Sequence, residues 1–305
     1  MSYTYPVKHP TGTLTTEQLH LLLSNERLIA RRVADLTKMK FIADFLLPAR
    51  LDATGGGIFY ETGEPVFASD NPEAIEPLTE YPLVVLDDGT VVSAKTDKWG
   101  LDTMVSDEKI ARQGRVPVDR GFLRVSNTIV RFVDQVAMAV IASRVSSTFA
   151  SVDTWTTAGN AVEAILTVQA ERAALGLGFE LDTIVLRPAQ YAKIIGMLID
   201  DKALPRESGE TAIAGSLPVN ALGLTWATTP NFQGANPLLL DPENLGGMAD
   251  EKLGGPGYAS AGPFGVEVKS IRDDDLEGYK LRGRRVTVPV VTEPLAGVQL
   301  TNTGL

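Results

Sequence analysis

Between Ile58 and Ala94 the chain carries eight carboxylates (Glu61, Glu64, Asp70, Glu73, Glu76, Glu80, Asp87 and Asp88) and neither a lysine nor an arginine. Pro65, Pro72, Pro77 and Pro82 forbid a helix through its middle. A connection of this length inside a compact domain is uncommon and tends to be functional or disordered. The interleaved Tyr60, Phe67, Ile75, Leu78 and Tyr81 argue against disorder, because such side chains seek a surface to cover. Strand-like pieces at Ile58–Tyr60 and Leu83–Leu86 suggest a long hairpin that packs on something other than its own core.

The rest of the chain is arranged around this segment. Before it lies an arm. Thr15-Thr16-Glu17-Gln18 has capping-box spacing, and Leu19, Leu22 and Leu23 continue as a helical stripe. Periodicity alone describes an ordinary amphipathic helix packed on its own domain. After the acidic segment comes the longest helix, expected from Asp119 as its cap to about Ser147. Phe122, Val125, Ile129, Phe132, Val133, Val136, Val140 and Ile141 recur on one face, with Arg120, Arg124, Asn127 and Arg131 opposite. Its length of about 43 Å exceeds a small domain, which makes it a spine.

From Thr157 the pattern alternates between helix and strand. A helix ends near Gly176 and Gly178, Thr183–Leu186 is a strand, and Pro188 opens a helix through Leu198. A polar loop from Asp200 to Ser216 precedes strands around Leu222–Thr228 and Leu238–Leu240. Glycine-rich sequence from Gly246 to Gly262 reads as a separator. Strand signals follow at Gly265–Ile271, Arg284–Val291 and Val298–Thr301.

Charge and composition remove several function classes. The net charge is −10, yet residues 1–50 hold seven Lys/Arg against four Asp/Glu. This balance argues against a sequence-specific nucleic-acid binder. What it leaves is weak, sequence-blind phosphate contact by the arm, through Arg27, Arg31 and Arg32. There is no cysteine, hence no disulfide, thiolate metal site or cysteine nucleophile. No apolar run suggests a membrane partner, and Met1–Pro6 lacks the layout of a secretory signal.

Chemistry is sparse. The histidines are His9 and His20, both read as surface groups, and no Gly-x-Ser-x-Gly elbow is present to pair with either. Gly55-Gly56-Gly57 and Gly176-Leu177-Gly178 fail the dinucleotide fingerprint, with Tyr60 and Leu181 where the third glycine belongs. Asp273–Gly278 begins like a calcium loop, but Arg284 stands where the bidentate glutamate is needed. It reads as a solvated acidic turn. No catalytic residue, cofactor or metal is expected.

The order of pieces is arm, acidic hairpin, spine helix, α/β block and returning strands. Along it lie Gly55-Gly56-Gly57 before Tyr60, Val105-Ser106-Asp107-Glu108, Asn127-Thr128-Ile129 with Asp134, Ile184-Val185-Leu186-Arg187-Pro188 with Tyr191, and Val291-Thr292-Glu293-Pro294. In this order the chain resembles the Hong Kong 97-type capsid fold of tailed phages and is similar to actinobacteriophage major capsid proteins. The resemblance implies an α+β subunit with an N-arm (1–57), an extended β-hairpin loop (58–94), a peripheral domain with the spine helix (95–150 and 264–305) and an α/β axial domain (151–263). It implies a homo-oligomer of hexamers and pentamers, with scaffolding, portal and decoration proteins as partners and non-specific contact with packaged DNA.

In such shells the extended loop lies on a neighbouring subunit. Glu61, Phe67, Glu73, Glu76, Leu78, Glu80 and Tyr81 would meet a basic surface of Arg120, Arg124, Arg131, Lys280, Arg282, Arg284 and Arg285. The axial loop, with Lys202, Arg206, Glu207 and Glu210, would point at the capsomer axis. Some members crosslink through a lysine in the extended loop; here none occurs before Lys95, so shells are expected to stay non-covalent. The rival readings are an encapsulin-like compartment shell, an α/β enzyme using carboxylates within 151–263, and a nucleic-acid-binding regulator.

Overall fold

The structure, a computed structural model, describes residues 15–25, 27, 29–30, 41–65, 67–68, 71–72, 74–75, 80–81, 83–84, 89–201, 223–261 and 265–305. In chain order the elements are α1 (Thr16–Ser24), α2 (Ala43–Leu46), β1 (Ala49–Asp52), β2 (Gly57–Thr62), β3 (Thr90–Lys95), β4 (Asp97–Ser106), α3 (Asp107–Gln113), α4 (Val116–Arg144), β5 (Thr148–Ala150), α5 (Ala158–Ala174), β6 (Thr183–Leu186) and α6 (Pro188–Asp200). They continue with β7 (Thr225–Thr228), β8 (Leu238–Leu240), α7 (Pro242–Leu245), β9 (Gly246–Asp250), β10 (Ala259–Ser260), β11 (Glu267–Asp273), β12 (Gly278–Val291) and β13 (Gly297–Thr301).

Two compact units share the chain. One holds residues 1–40, 98–132 and 252–286; the other holds 41–97, 133–251 and 287–305. Helix α4 and strand β12 run through both. The last strand, β13, pairs in parallel with β5 and antiparallel with β8, so the chain end completes the α/β block.

In the first unit, α1 carries the expected capping box: Gln18 N donates to Thr15 Oγ1, and Thr15 N to Gln18 Oε1. Leu19 and Leu23 are buried, so this helix packs on its own chain. His20 is half-buried rather than a surface group, with Nδ1 3.0 Å from the Tyr279 hydroxyl. The sheet is β12 flanked by β11 and β4, with β10 on the outside of β11. Helix α4 crosses its inner face. A Cβ on Gly283 would stand 2.8 Å from Val125 Cγ1 and 3.0 Å from Ile129 Cδ1, so sheet and helix are in direct contact there.

The spine helix begins at Val116, one turn earlier than expected, and ends at Arg144. Pro117 lies in the first turn, where its missing N–H removes no intrahelical bond. Asp119 is therefore not the cap. It accepts from Arg115 Nε at 3.0 Å instead. Phe122, Val125, Ile129, Val133 and Ile141 are buried as the periodicity required, whereas Phe132 is 45% exposed and packs against Trp99. By length and average hydropathy the helix could cross a membrane, but half of its most apolar stretch is buried inside the protein, as in a core helix.

In the second unit a five-stranded sheet has the order β5-β13-β8-β6-β7. Strand β6 is buried at every position and parallel to β7, joined through α6. Helices α5 and α6 pack over Ile184, Leu186, Leu239, Val298 and Leu300, sealing a core with Trp155, Ile165, Val168, Ile194 and Leu198. The acidic turn belongs to the first unit, where Asp273–Gly278 joins β11 to β12.

The glycine-rich separator is in part a strand. β9 lies between β1 and the end of β12 and is buried from Gly246 to Ala249. A Cβ on Gly247 would lie 2.5 Å from the Ala49 carbonyl oxygen, so the parallel pairing of β1 and β9 requires glycine. Glycine here marks close approach of two backbones, not a flexible joint.

Candidate functional site

The base of the acidic hairpin is β2 paired with β3, in register from Gly57↔Lys95 to Thr62↔Thr90. The partner strand of β2 is thus Thr90–Lys95; of the expected strand Leu83–Leu86, Leu83 and Val84 are not in a strand and Leu83 is 94% exposed, while Val85 and Leu86 lie outside the described residues. Alternation along the hairpin divides its two faces. Ile58, Tyr60 and Ala94 pack against Ala53, Ala249 and Val290 of the same unit. Phe59 and Val91 point outward and are 81% and 62% exposed. The expectation that the whole segment avoids its own core is therefore corrected for its base, where one face is anchored at home. Beyond the base, Glu61, Phe67, Glu80 and Tyr81 are exposed, Tyr81 by 83%. Glu73, Glu76 and Leu78 lie outside the described residues.

The seven cations expected to form one basic surface divide into two groups. Arg120, Arg124 and Arg131 are exposed along α4 and enter no ion pair among the described residues. The four in β12 are engaged inside the subunit. Lys280 Nζ is 2.5 Å from Asp273 Oδ2, and Arg282 makes a two-pronged contact with Asp102. Arg284 is buried, bound to Glu267 Oε2 at 2.7 Å and to the Gly254 carbonyl, with its guanidinium 3.5 Å from the Tyr258 ring centroid. Arg285 is fully buried. Two-residue alternation puts Lys280, Arg282 and Arg284 on one face of β12 and Arg285 on the other, yet Arg284 and Arg285 are both buried, so the strand's own pattern does not tell these cations from open surface charge.

These contacts leave their mark on protonation. The hydrogen bond from Arg282 holds the Asp102 carboxyl below the usual carboxylate range, and the bond from Lys280 does the same for Asp273. The guanidinium of Arg272 is held protonated more firmly still by Asp107 and Asp274. All are salt links that fix the sheet.

The remaining expected site residues are divided in the same way. Arg27 is exposed; Arg31 and Arg32, and the axial-loop residues Lys202, Arg206, Glu207 and Glu210, lie outside the described residues. Among the described residues no three His, Asp or Glu side chains converge as metal ligands would. The buried carboxylate Asp241, which the sequence did not single out, is saturated by Glu180 N, Glu243 N, Asn244 N and Asn244 Nδ2. It is a cap for α7.

A model of the phage capsid protein family matches residues 89–300. The chain belongs to that family. No curated protein sequence matches it. Solved structures resemble it over nearly their whole length. The capsid of the cyanophage P-SCSP1u covers 87% of this chain and 88% of its own, at 12% identity and a TM-score of 0.61. A phage-related protein from Bordetella bronchiseptica RB50 covers 91% and 97%, at 14% identity and 0.57. A virus-like particle from Pyrococcus furiosus covers 90% and 96%, at 10% identity and 0.54. At such identities the likeness carries the fold: this phage capsid protein has the α+β, Hong Kong 97-type architecture expected from its order of pieces. It is a structural protein of the virion capsid, and the readings as a compartment shell, enzyme or regulator are not favoured.

Proposed function

We propose that this capsid protein is the major subunit of a tailed-phage head, assembling as hexamers and pentamers around double-stranded DNA without catalysing a reaction. The observation that carries the reading is the hairpin: anchored on one face of its base, it presents Phe59, Val91, Phe67 and Tyr81 outward on an acidic segment without a cation. Exposed aromatic and aliphatic side chains of this number mark a surface meant to be covered. The partner is a neighbouring subunit, and the surface is the Arg120, Arg124 and Arg131 stripe of α4, now without the four β12 cations. Opposite charges steer the docking and fix its register, while the apolar side chains supply buried area.

The axial loop around Lys202, Arg206, Glu207 and Glu210 faces the capsomer axis in this proposal. Arg27, Arg31 and Arg32 of the arm touch packaged DNA through phosphates only. Scaffolding, portal and decoration proteins complete the head.

Sedimentation velocity tests the reading. The native chain should form particles far heavier than the subunit. E73K/E76K/E80K and R120E/R124E/R131E should each remain folded subunits by circular dichroism. Each exposed pair contributes under about 1 kcal/mol, so triple changes are needed. Normal assembly by either triple variant would refute the docking.

A further inference from the structure

Each strand of the acidic hairpin leaves the anchored base at a glycine. Gly63 follows β2 at φ +66, with nothing among the described residues within 4 Å of the place a side chain would take, and Gly89 precedes β3. Gly63 N donates to the Thr292 carbonyl at 3.2 Å, so the base is tied down as far as this point. Phe67 comes next among the aromatic side chains, and it touches its own subunit. Its ring tip, Cζ, lies 3.9 Å from the place a Cβ on Gly176 would take, in the turn that ends α5 within the same unit. Gly176 stands at φ +67 and carries no side chain, which leaves that place to the ring.

The hold is partial. Phe67 remains 61% exposed on this turn, and Leu175 beside Gly176 is itself 50% exposed. A ring covered by less than half gains only part of what full burial gives. Such a contact keeps the hairpin in place but yields to any surface that covers the ring more fully. Gly63 and Gly89 are where the two strands can turn, because glycine accepts backbone angles closed to other residues.

We propose that the seat of Phe67 on Gly176 is a self-inhibiting contact. The free subunit keeps its hairpin parked on its own α5 turn, and the hairpin swings about Gly63 and Gly89 when a neighbour takes the ring over. The proposal rests on the shell reading and adds to it the state of the hairpin before assembly. Only the unparked fraction docks, so parking weakens the apparent affinity between subunits in proportion to that fraction. Partial burial of one aromatic ring corresponds to about fivefold.

Phe67→p-benzoylphenylalanine places a photoreactive group at the ring tip. In the dissociated subunit, irradiation should join it to the peptide that holds Gly176 of the same chain. In particles it should join a second chain instead. Aspartate tolerates the left-handed backbone and would set a carboxylate beside the acidic hairpin. G176D should therefore lose the internal crosslink and assemble about fivefold faster than the native chain by light scattering. G178D is the control, since Gly178 lies in the same turn at φ +79 with nothing among the described residues within 4 Å, and it should assemble at the native rate. A dissociated subunit without the crosslink to Gly176, particles that keep it, or a G176D variant no faster than the native chain or than G178D overturns the proposal and leaves the shell reading standing. A native chain that never assembles overturns both.

Discussion

Arg282 holds Asp102 by two hydrogen bonds, Nε to Oδ1 at 2.8 Å and Nη2 to Oδ2 at 2.6 Å, and so ties β12 to β4 across the chain. The planar fork of arginine matches a carboxylate in this way, whereas lysine offers a single point charge. The cation is thereby engaged within its own subunit.

The pH dependence of this link has a definite sign. The Asp102 carboxyl is held below its unfolded value, chiefly by the Arg282 hydrogen bond. Its contribution is present above the unfolded pKa of about 4 and disappears as pH falls through the folded value. The pair is partly exposed, so the effect is under about 1 kcal/mol. Thermal unfolding of D102N should show a slightly lower Tm than native protein at pH 7, with the two curves converging below about pH 4. A gap that widens on acidification would contradict this.

Arg284 is a different case, because it is buried with Glu267 and stacked on Tyr258. Removing one member of a buried pair strands the other. R284A should lower stability by about 2–4 kcal/mol, measured by urea unfolding of the dissociated subunit. Y258L should cost less, about 1 kcal/mol, through the lost cation–π contact. Equal, negligible effects would show that the contacts of Arg284 with Glu267 and Tyr258 do not stabilise the fold.

Gly247 tests the buried strand. Valine there would drive a branched side chain into the Ala49 backbone, where even a Cβ falls 2.5 Å from the carbonyl oxygen. G247V should be destabilised by about 3 kcal/mol or more and accumulate as insoluble protein. A soluble G247V with native circular dichroism would contradict the pairing of β1 with β9.

Shells of this chain should stay non-covalent, since the extended loop has no lysine and the chain no cysteine. Denaturing electrophoresis of mature particles should give one band near 32.7 kDa. A ladder of covalent oligomers would overturn this.

Local signals in the sequence are legible where one element decides them. The Thr15–Gln18 capping box, strand Thr183–Leu186 and the Pro188 helix all stand where their residues put them. What escapes depends on partners distant in sequence. Gly246–Asp250 looks like a spacer until Ala49–Asp52 is set beside it, because only pairing reveals why a side chain is excluded. The β12 arginines look like surface charge until Asp102 and Glu267 arrive from elsewhere. Of the proposed assembly surface, the acidic hairpin and the α4 arginines are legible as composition. The anchoring of one hairpin face on Ala53, Ala249 and Val290 is not, since those residues come from three separate segments.

The most direct test of the account is a single-particle reconstruction of particles assembled from this chain alone. It should show closed shells in which residues 64–89 of one subunit lie against Arg120, Arg124 and Arg131 of a neighbour. Particles whose loop touches only its own subunit, or a preparation that remains monomeric, would contradict it.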